Sequence, residues 1–448
     1  MAKEKGNESN LREREVSTTQ IGLNNGIEDT NMEIKKFSIN GVERTFHCYT
    51  SCPDEAGIEL QTIVNTALDG LNGFLDDTYN AYKNHFPKVT RPILYVYLRE
   101  DDVANINAFT EGKDIYLSVA AMIGMESYIK ERLNTPKFNG EDLVPEHLRA
   151  TTHIRIYNYI LELIVAHELT HIWHSHKRWK NAVLKCNGAA VVHVEDDVFS
   201  EKVLVVDYNN NEPAEANIAE IETLSVENGY LVCKSEAEQN YIQQILEIDA
   251  DCCAMSIVVA NLQKEMDSIV KTYVNDPEKG ETNFRAIISC HRYLLGLIAG
   301  AAGLMCGFFD GQRTEASFEK LSILLDKNHP IPAIRFFKMN LTLNEMICTI
   351  FKDADVAELL LSGTDAFSVD IFMHKDHIMN IKNCFWAPVQ TKEAQDFIVL
   401  LEKGWNIIHD SLQSFALLDI PNKFSADDLL IPDSLVWFDK EGNFLQKS

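Results

Sequence analysis

The sequence predicts an α+β fold that is mainly helical and contains a small β-sheet. Runs in which apolar and polar residues alternate lie mostly in the first 120 positions, and a period of two is typical of strands. From about residue 150 onwards, apolar residues recur three and four positions apart, which is the spacing of amphipathic helices. A third indication is Asn40-Gly41, a turn-forming pair between two alternating runs, which favours a β-hairpin.

Length and composition narrow the class of protein. The chain has 448 residues, enough for two or three domains with cores of their own. Its 46% hydrophobic and 24% charged residues are typical of a soluble globular protein. Asp and Glu total 67 against 41 for Lys and Arg, a formal charge of -26, which disfavours nucleic acid or an anionic membrane as the main partner. The oligomeric state stays open.

The N-terminal part carries the predicted sheet. Residues 1–32 are polar and lack periodicity, so we expect them to form a disordered tail. After the hairpin, apolar residues spaced as in a helix run from Asp54 to about His85. The segments PILYVYL, residues 92–98, and DIYLSV, residues 114–119, are rich in β-branched and aromatic residues, which predicts two further strands.

Beyond these strands the chain is predicted to be mainly helical. Helical patterns cover about 150–177, 236–266, 282–309 and 315–326. An acidic insertion over about 178–235 separates the first two patterns and contains candidate strands at 189–195 and 202–208. This organisation divides the chain into one domain over 33–360, which includes the insertion, and a mainly helical C-terminal accessory region over 361–448.

One apolar stretch requires a membrane test. Residues 293–309, YLLGLIAGAAGLMCGFF, are about 17 in number, at the lower end of what crosses a bilayer. Their small side chains suit a close-packed buried helix, which we favour, although a membrane-anchored protein stays an alternative. The N-terminus carries no apolar export signal, and the ten cysteines lie mostly in apolar contexts. Both features are expected of a cytoplasmic protein with reduced thiols.

The stretch HELTH, residues 167–171, carries the strongest chemical signal. His167 and His171 are four positions apart, so on a helix their imidazoles share one face and can bind one ion. Glu168 is placed to accept a proton from water rather than to bind the metal. This is the H-E-x-x-H arrangement of zinc hydrolases. The alternative is a charged helix face that binds no metal.

A zinc hydrolase needs a third protein ligand. The metzincin pattern requires a histidine six residues after His171, and position 177 is a lysine, which excludes that class. Further along, EIDAD places Glu247 and Asp251 four apart on one face of a predicted helix. Glu247 could complete the site and Asp251 could accept the second N–H of a ligand histidine. Asp249 falls on the other side of that helix and is a poorer candidate.

Two more histidines follow the motif closely. His174 lies three positions after His171 and is an alternative ligand. His176 is expected to pack or to form hydrogen bonds rather than to bind zinc.

Four stretches together resemble the gluzincin zinc metallopeptidases. HELTHIWHSH and EIDAD are similar to the H-E-x-x-H-x-x-x-x-H and E-x-x-A-D pair of the HtpX-like and CAAX-prenyl-processing peptidases and of soluble phage-exclusion peptidases of the Lit type. NAFTEGKDIYLSVAAM, from Asn107, resembles the segment that precedes the zinc helix in these enzymes. HPIPAIR, His329 to Arg335, resembles their H-P-x-x-x-x-R. The motifs occur in the family's order over about half the chain.

The resemblance implies a zincin-like core over 33–360 in which an edge strand of the small sheet faces the active-site cleft. DIYLSV would be that strand and would hold an extended peptide by main-chain hydrogen bonds. One zinc ion per chain would be bound. The implied roles are zinc ligands for His167, His171 and Glu247, general base for Glu168, support of a ligand histidine for Asp251, support of Glu247 or of the oxyanion for His329 and Arg335, and substrate-strand positions for Asn107 and Ala108.

The sequence therefore predicts a soluble, cytoplasmic zinc endopeptidase that hydrolyses peptide bonds of an intracellular protein. The resemblance to Lit-type enzymes extends this to a hypothesis of stress or phage defence. Two departures from the family matter: the interval between His171 and Glu247 contains the acidic insertion, and the membrane spans of the HtpX-like enzymes are missing. The alternative is a non-enzymatic interaction protein with a structural or vestigial zinc site.

Overall fold

The computed structural model describes residues 32–39, 42–51, 58–99, 108–134, 146–186, 225–227, 230–233, 235–274, 280–309, 329–362, 387–425, 429, 436–439, 443 and 445. Within these ranges the fold is α+β and mainly helical, as predicted. The predicted tail up to residue 31, the candidate strands at 189–195 and 202–208, and the predicted helix at 315–326 lie outside the described residues.

The larger sheet has five strands. They are β1 (Met32–Ile39), β2 (Val42–Tyr49), β3 (Leu94–Arg99), β4 (Ala108–Glu111) and β5 (Asp114–Ser118), in the order β1-β2-β3-β5-β4. Ile39 lies opposite Val42, so the register confirms the predicted hairpin, although Asn40 and Gly41 themselves lie outside the described residues. Gly112 has φ 60 in the tight turn between β4 and β5, a conformation that glycine adopts without strain.

The prediction that DIYLSV forms an edge strand is wrong. β5 pairs with β3 on one side, in parallel, and with β4 on the other, antiparallel. Among the described strands, β4 occupies this edge of the sheet and packs against the helix that carries His167. The physical reason is that β4 has only four residues, and such a short strand gives no readable alternation before its turn folds it back onto β5.

Helices make up most of the described chain. Their bounds are α1 (Ile58–Tyr82), α2 (Val119–Asn134), α3 (Glu146–Trp173), α4 (His176–Val183), α5 (Glu236–Val274), α6 (Gly280–Phe309), α7 (Pro332–Ile350), α8 (354–362) and α9 (Lys392–Gln413), with a 3-10 turn at Ala387–Gln390. α3 and α5 pack side by side at the centre, α6 contacts both, and α7 lies against α5 and α6. The two long central helices therefore bring HELTH and EIDAD to one place.

A second, three-stranded sheet lies at the ends of the predicted insertion. Its strands are β6 (Leu184–Cys186), β7 (Ser225–Glu227) and β8 (Tyr230–Cys233), in the order β6-β8-β7. β6 and β8 pair in parallel, so the chain leaves α4 and returns to α5 at neighbouring positions. The insertion thus interrupts the fold without separating α3 from α5.

α6 contains the apolar stretch, residues 293–309, that we considered as a possible membrane span. Thr282–Phe308 is the one helix in the described part of the chain that is long and apolar enough to cross a bilayer, and 72% of its most apolar window is buried. Leu295, Leu297 and Ile298 are fully buried. Among the described helices, four pack against α6, namely α2, α3, α5 and α7. Such burial fits the favoured core helix, and core helices can be as long and apolar as a membrane span.

The C-terminal region is joined to the same hydrophobic core as the central helices. Phe397 and Trp405 of α9 belong to the cluster that also contains Leu169 of α3. Gly404 lets α9 approach α5 closely, because a Cβ at this position would overlap the ring of Tyr241 and the side chain of Ile245. The backbone N–H of Leu417 donates to the carbonyl of Trp173 at the end of α3, at 2.7 Å. The helix that carries HELTH is therefore packed and hydrogen-bonded against residues beyond 390.

Candidate metal centre

Three side chains from α3 and α5 converge on one point. His167 and His171 are one turn apart on α3, and Glu247 projects from α5 toward them. The two Nε2 atoms of the histidines are 3.1 Å apart. The carboxylate of Glu247 lies 3.3 Å from Nε2 of His167 and 3.7 Å from Nε2 of His171. We call these three residues the metal triad.

The spacing of the metal triad fits a bound ion. Ligand atoms about 2.0–2.1 Å from a tetrahedral metal lie about 3.3–3.4 Å from one another. The three separations in this site, 3.1, 3.3 and 3.7 Å, bracket that value. The side chains are 11%, 15% and 5% exposed, so the group is nearly buried while both histidines still reach solvent. The three residues could hold a metal ion.

Asp251 and Arg335 fix the first ligand histidine. Nδ1 of His167 lies 2.9 Å from Oδ1 of Asp251, so the other ring nitrogen, Nε2, is the one that faces His171 and Glu247. The guanidinium of Arg335 donates from Nε and Nη2 to both oxygens of Asp251, each at 2.7 Å. Burial would raise the pKa of Asp251, but Arg335 outweighs it and lowers the pKa to about 2. Asp251 is therefore ionised and held in a bidentate pair.

Glu247 is held from two sides. Its Oε1 accepts a hydrogen bond from Nε2 of Gln243 at 2.6 Å, and Gln243 in turn accepts one from Lys180. Its Oε2 lies 3.1 Å from Nδ1 of His329, whose side chain is 55% exposed. Burial would raise the pKa of Glu247, but the surrounding histidines hold it well below the ordinary value. The carboxylate is thus fixed and negatively charged.

The two carboxylates next to His167 favour its protonated form. Burial acts against it, but Asp251 and Glu247 raise the pKa of His167 to about 10. Burial lowers the pKa of His171 well below the ordinary value, so this imidazole is neutral. A metal ion that binds here would displace the proton on His167, which makes metal uptake dependent on pH.

Glu168 lies beside the metal triad and contributes no ligand atom to it. Its side chain is buried and interacts electrostatically with His167, Glu247, Arg335 and His329. Burial raises the pKa of Glu168 to about 7, with repulsion from Glu247 adding to the effect and His167 opposing it. Such a carboxyl group can accept and release a proton near neutral pH.

A second cluster lies directly next to the first. His174, His176 and Asp249 are all buried and also have their ligand-type atoms close together. Nδ1 of His174 and Nε2 of His176 both approach Oδ2 of Asp249, at 2.5 and 2.9 Å. We call these three residues the buried array. The alternative that His174 joins the metal triad is not what the structure shows, and His176 forms hydrogen bonds as expected.

Sequence reasoning missed the part that Asp249 plays. Asp249 does lie on a different face of α5 from Glu247, as expected, and that face turns toward the end of α3. Two histidines two positions apart after HELTH and a third acid within EIDAD were the available signal. The remaining predicted residues are placed as follows: Ala108 begins β4 opposite Leu117, and Asn107 lies outside the described residues.

Comparison with known proteins adds no relative. No protein-family model matches the chain, and no curated protein or solved structure is significantly similar to it.

Proposed function

We propose that this chain is a zinc-dependent endopeptidase of the gluzincin type, a hydrolase that cleaves peptide bonds of a protein substrate. The observation that carries the proposal is the convergence of His167, His171 and Glu247 at ligand spacing, with Glu168 beside them. A metal site that is only structural has no need of an acid poised to exchange protons. The resemblance of HELTH, EIDAD and HPIPAIR to gluzincin motifs supports the same assignment.

The donor set favours zinc among the common metals. Two imidazoles and one carboxylate are the protein ligands of catalytic zinc sites that leave a further position open. Calcium and magnesium prefer sites made of oxygen atoms alone. A zinc ion held by these groups would lower the pKa of water toward neutrality and polarise the scissile carbonyl.

Glu168 is the proton carrier in this proposal. Its carboxylate accepts a proton from the attacking water and passes it to the nitrogen of the leaving amine, so that charge does not build up on either. Proton transfer by a placed side chain contributes about 10²- to 10⁴-fold in rate when its pKa is near the working pH. Burial raises the pKa of Glu168 to about 7 when no ion is beside it, and a bound cation would lower this pKa toward the carboxylate form that accepts the proton.

His329 and Arg335 have different parts in the proposal. His329 is half-exposed and touches Glu247, so its imidazole borders the place where a substrate carbonyl would enter. We assign it to stabilising negative charge that develops on the substrate oxygen. Arg335 uses two nitrogens on Asp251 and therefore keeps His167 in position instead of contacting substrate.

The extended substrate would lie along β4. This strand is the edge of the sheet next to α3, and its outer main-chain groups face no described strand. An added strand would gain main-chain hydrogen bonds there. Glu111 at the end of β4 accepts two hydrogen bonds from Lys177, at 2.7 and 2.9 Å, which ties this edge to the start of α4. The substrate strand proposed from Asn107 and Ala108 thus runs along β4 in place of DIYLSV.

The proposal places the enzyme in the cytoplasm, with a protein substrate and no nucleic-acid partner, and fractionation of cells tests the first part. Recovery in the soluble fraction without detergent is expected. Recovery only with detergent would instead support the membrane-anchored alternative, in which α6 is the anchor. The hypothesis of stress or phage defence rests on the Lit-type resemblance alone, and unchanged phage sensitivity after deletion of the gene would contradict it.

Cleavage of proteome-derived peptides by the purified chain tests the catalytic proposal. New peptide N-termini, identified by mass spectrometry, should appear with the zinc-loaded wild type and disappear with Glu168→Gln, which still binds zinc. Glu162→Gln is the matched control, because it makes the same substitution on the same helix six residues earlier, away from the metal triad. Zinc binding without any cleavage would favour the interaction protein with a structural site.

A further inference from the structure

The buried array begins with an unusual backbone turn. Ser175, between α3 and α4, has φ 58 and ψ 36 and is the one non-glycine residue with positive φ in the described part of the chain. This left-handed conformation costs about 1–2 kcal/mol for a residue with a Cβ. Residues two apart on a continuous helix point to different sides. The turn at Ser175 instead directs His174 and His176 toward the same carboxylate oxygen.

The same turn places the ring of His176 next to His171 of the metal triad. Nδ1 of His176 lies 2.7 Å from Nδ1 of His171, and Nε2 of His176 lies 2.9 Å from Oδ2 of Asp249. A continuous path therefore runs from His171 through His176 to Asp249. His174 contacts the same oxygen of Asp249 and, through Nε2, the thiol of Cys253 at 3.9 Å.

The path has only one hydrogen-bond direction that leaves His171 able to bind a metal. Between two Nδ1 atoms, one nitrogen must carry the hydrogen and the other must accept it. When His171 donates, its Nε2 keeps a lone pair for a metal, and His176 carries its own hydrogen on Nε2, which donates to Asp249. In the reverse direction, Nε2 of His171 would carry the hydrogen and neutral His176 would turn a lone pair toward the carboxylate.

The distances in the buried array suit hydrogen bonds better than a second metal. Both histidine nitrogens approach a single oxygen, at 2.5 and 2.9 Å, whereas ligands of one tetrahedral ion lie about 3.3–3.4 Å apart. The three side chains are only 1–2% exposed, compared with 11% and 15% for the two histidines of the metal triad. The other oxygen of Asp249, Oδ1, has no hydrogen-bond partner among the described residues.

We infer that His176 and Asp249 are positioning residues that orient His171 through a histidine–histidine–aspartate hydrogen-bond chain, and that the array is not a second metal site. The inference rests on the proposed metal centre at His167, His171 and Glu247. Each ligand histidine then has a buried carboxylate behind it. Asp251 acts on His167 directly, and Asp249 acts on His171 through one intervening imidazole. Such partners fix the tautomer and ring orientation of a ligand and strengthen its bond to the metal.

Zn2+ affinity of two matched variants tests the inference. His176→Phe removes the acceptor for His171, while His174→Phe removes a contact to the same oxygen of Asp249 and leaves the chain to His171 intact. In a titration of the full chain against a competing chelator, His176→Phe should weaken Zn2+ binding about 10- to 100-fold. His174→Phe should stay close to wild-type affinity, and all three proteins should bind one ion. Thermal denaturation checks that both variants are folded.

A second readout does not depend on metal. With 15N-labelled histidine in the metal-free chain, NMR should show a hydrogen on Nδ1 of His171 and on Nε2 of His176. The resonance of the His171 hydrogen, protected by its hydrogen bond, should be lost in His176→Phe and kept in His174→Phe.

The outcomes separate the inference from the proposed function. Equal Zn2+ affinities in the two variants, or retention of the His171 resonance in His176→Phe, would overturn the hydrogen-bond chain. Two ions per wild-type chain, with one lost in both variants, would make the array a metal site and also overturn it. If the wild type takes up no Zn2+ but the NMR result is as expected, the chain of hydrogen bonds stands and the proposed metal centre falls.

Discussion

The metal triad and the buried array are built from the same parts and differ in what they can bind. Each combines two histidines with one acid of EIDAD on α5. The histidines of the triad lie in the last two turns of α3, and those of the array lie just after α3 and at the start of α4. In the triad the ligand atoms stand 3.1–3.7 Å apart and point at a shared space. In the array two nitrogens meet one oxygen at hydrogen-bond distance.

The difference teaches that backbone geometry, more than residue type, decides the role of a histidine. His167 and His171 lie four apart on regular helix, so their rings lie on one face, edge to face, with both Nε2 atoms directed to one place. His174 and His176 lie two apart across the left-handed Ser175, so their rings converge on a point already occupied by oxygen. The first arrangement could hold a cation, and the second forms hydrogen bonds inside the protein.

Removal of Asp251, which supports the metal triad, and of Asp249, which belongs to the buried array, should give the largest difference in stability. Asp251→Ala removes the carboxylate that forms two hydrogen bonds with the buried guanidinium of Arg335, and loss of one member of a buried ion pair costs about 3–5 kcal/mol. Asp249→Ala leaves two histidines that can become neutral, so the expected loss is about 1–3 kcal/mol. Denaturant unfolding of the metal-free proteins measures both. Equal losses of unfolding free energy in the two variants would mean that the ion pair with Arg335 does not make Asp251 more important for stability than Asp249.

Glu162 on α3, a partly buried acid near a second acid, Glu265, sharpens the comparison. Burial raises the pKa of Glu162 to about 7, with repulsion from Glu265 adding to it. Because this pKa is above that of the unfolded chain, about 4.3, the neutral acid stabilises the fold at low pH, and the contribution is lost as the pH rises through about 7.

Glu162→Gln should therefore be about as stable as wild type near pH 4 and more stable at pH 8, by on the order of 2 kcal/mol. Denaturation midpoints at both pH values measure this. A constant difference between the two proteins at all pH values would show that Glu162 is ionised in the fold.

Both groups require α5 to stay in place, and Gly404 controls its contact with α9. Gly404→Ala would push a methyl group into Tyr241 and Ile245, which should cost about 1–3 kcal/mol. Gly73→Ala is the matched control, because Gly73 is exposed within α1 with nothing near its Cβ position, and alanine there should add about 0.5–1 kcal/mol of stability. Thermal unfolding of both variants gives the comparison, and a stable Gly404→Ala protein would contradict the close contact.

The smallest effect is expected at the exposed ion pair of Lys177 and Glu111. The lysine side chain is 54% exposed, so solvent screens the attraction. Lys177→Ala should change stability by less than about 1 kcal/mol. It should lower peptide cleavage only if β4 must be held against α4. A loss of stability as large as that of Asp251→Ala would mean that exposure does not separate this pair from the buried ones.

The sequence was sufficient for features that depend on local spacing. Asn40-Gly41 predicted a hairpin whose register the structure confirms. The four-residue intervals in HELTH and EIDAD predicted which side chains share a helix face, and His167, His171 and Glu247 do come together. Helix geometry is regular, so these relations follow from position numbers alone.

Features that depend on irregular backbone or on distant contacts could not be predicted. Ser175 carries no glycine-like signal for a left-handed turn, so the convergence of His174 and His176 was hidden. The four-residue β4 was too short to reveal that β5 lies inside the sheet. Lys180 and Gln243, which hold Glu247, come from α4 and from the preceding turn of α5, and no spacing rule links α4 to the site.

Zinc content of the purified full chain tests the central claim most directly. Elemental analysis should find about one zinc per wild-type chain, none in His171→Ala or Glu247→Ala, and about one in His174→Phe, whose substitution lies in the buried array. Absence of metal from the wild type, with no uptake when zinc is supplied, would contradict the metal triad. It would leave a histidine-rich helix pair in a protein of another class.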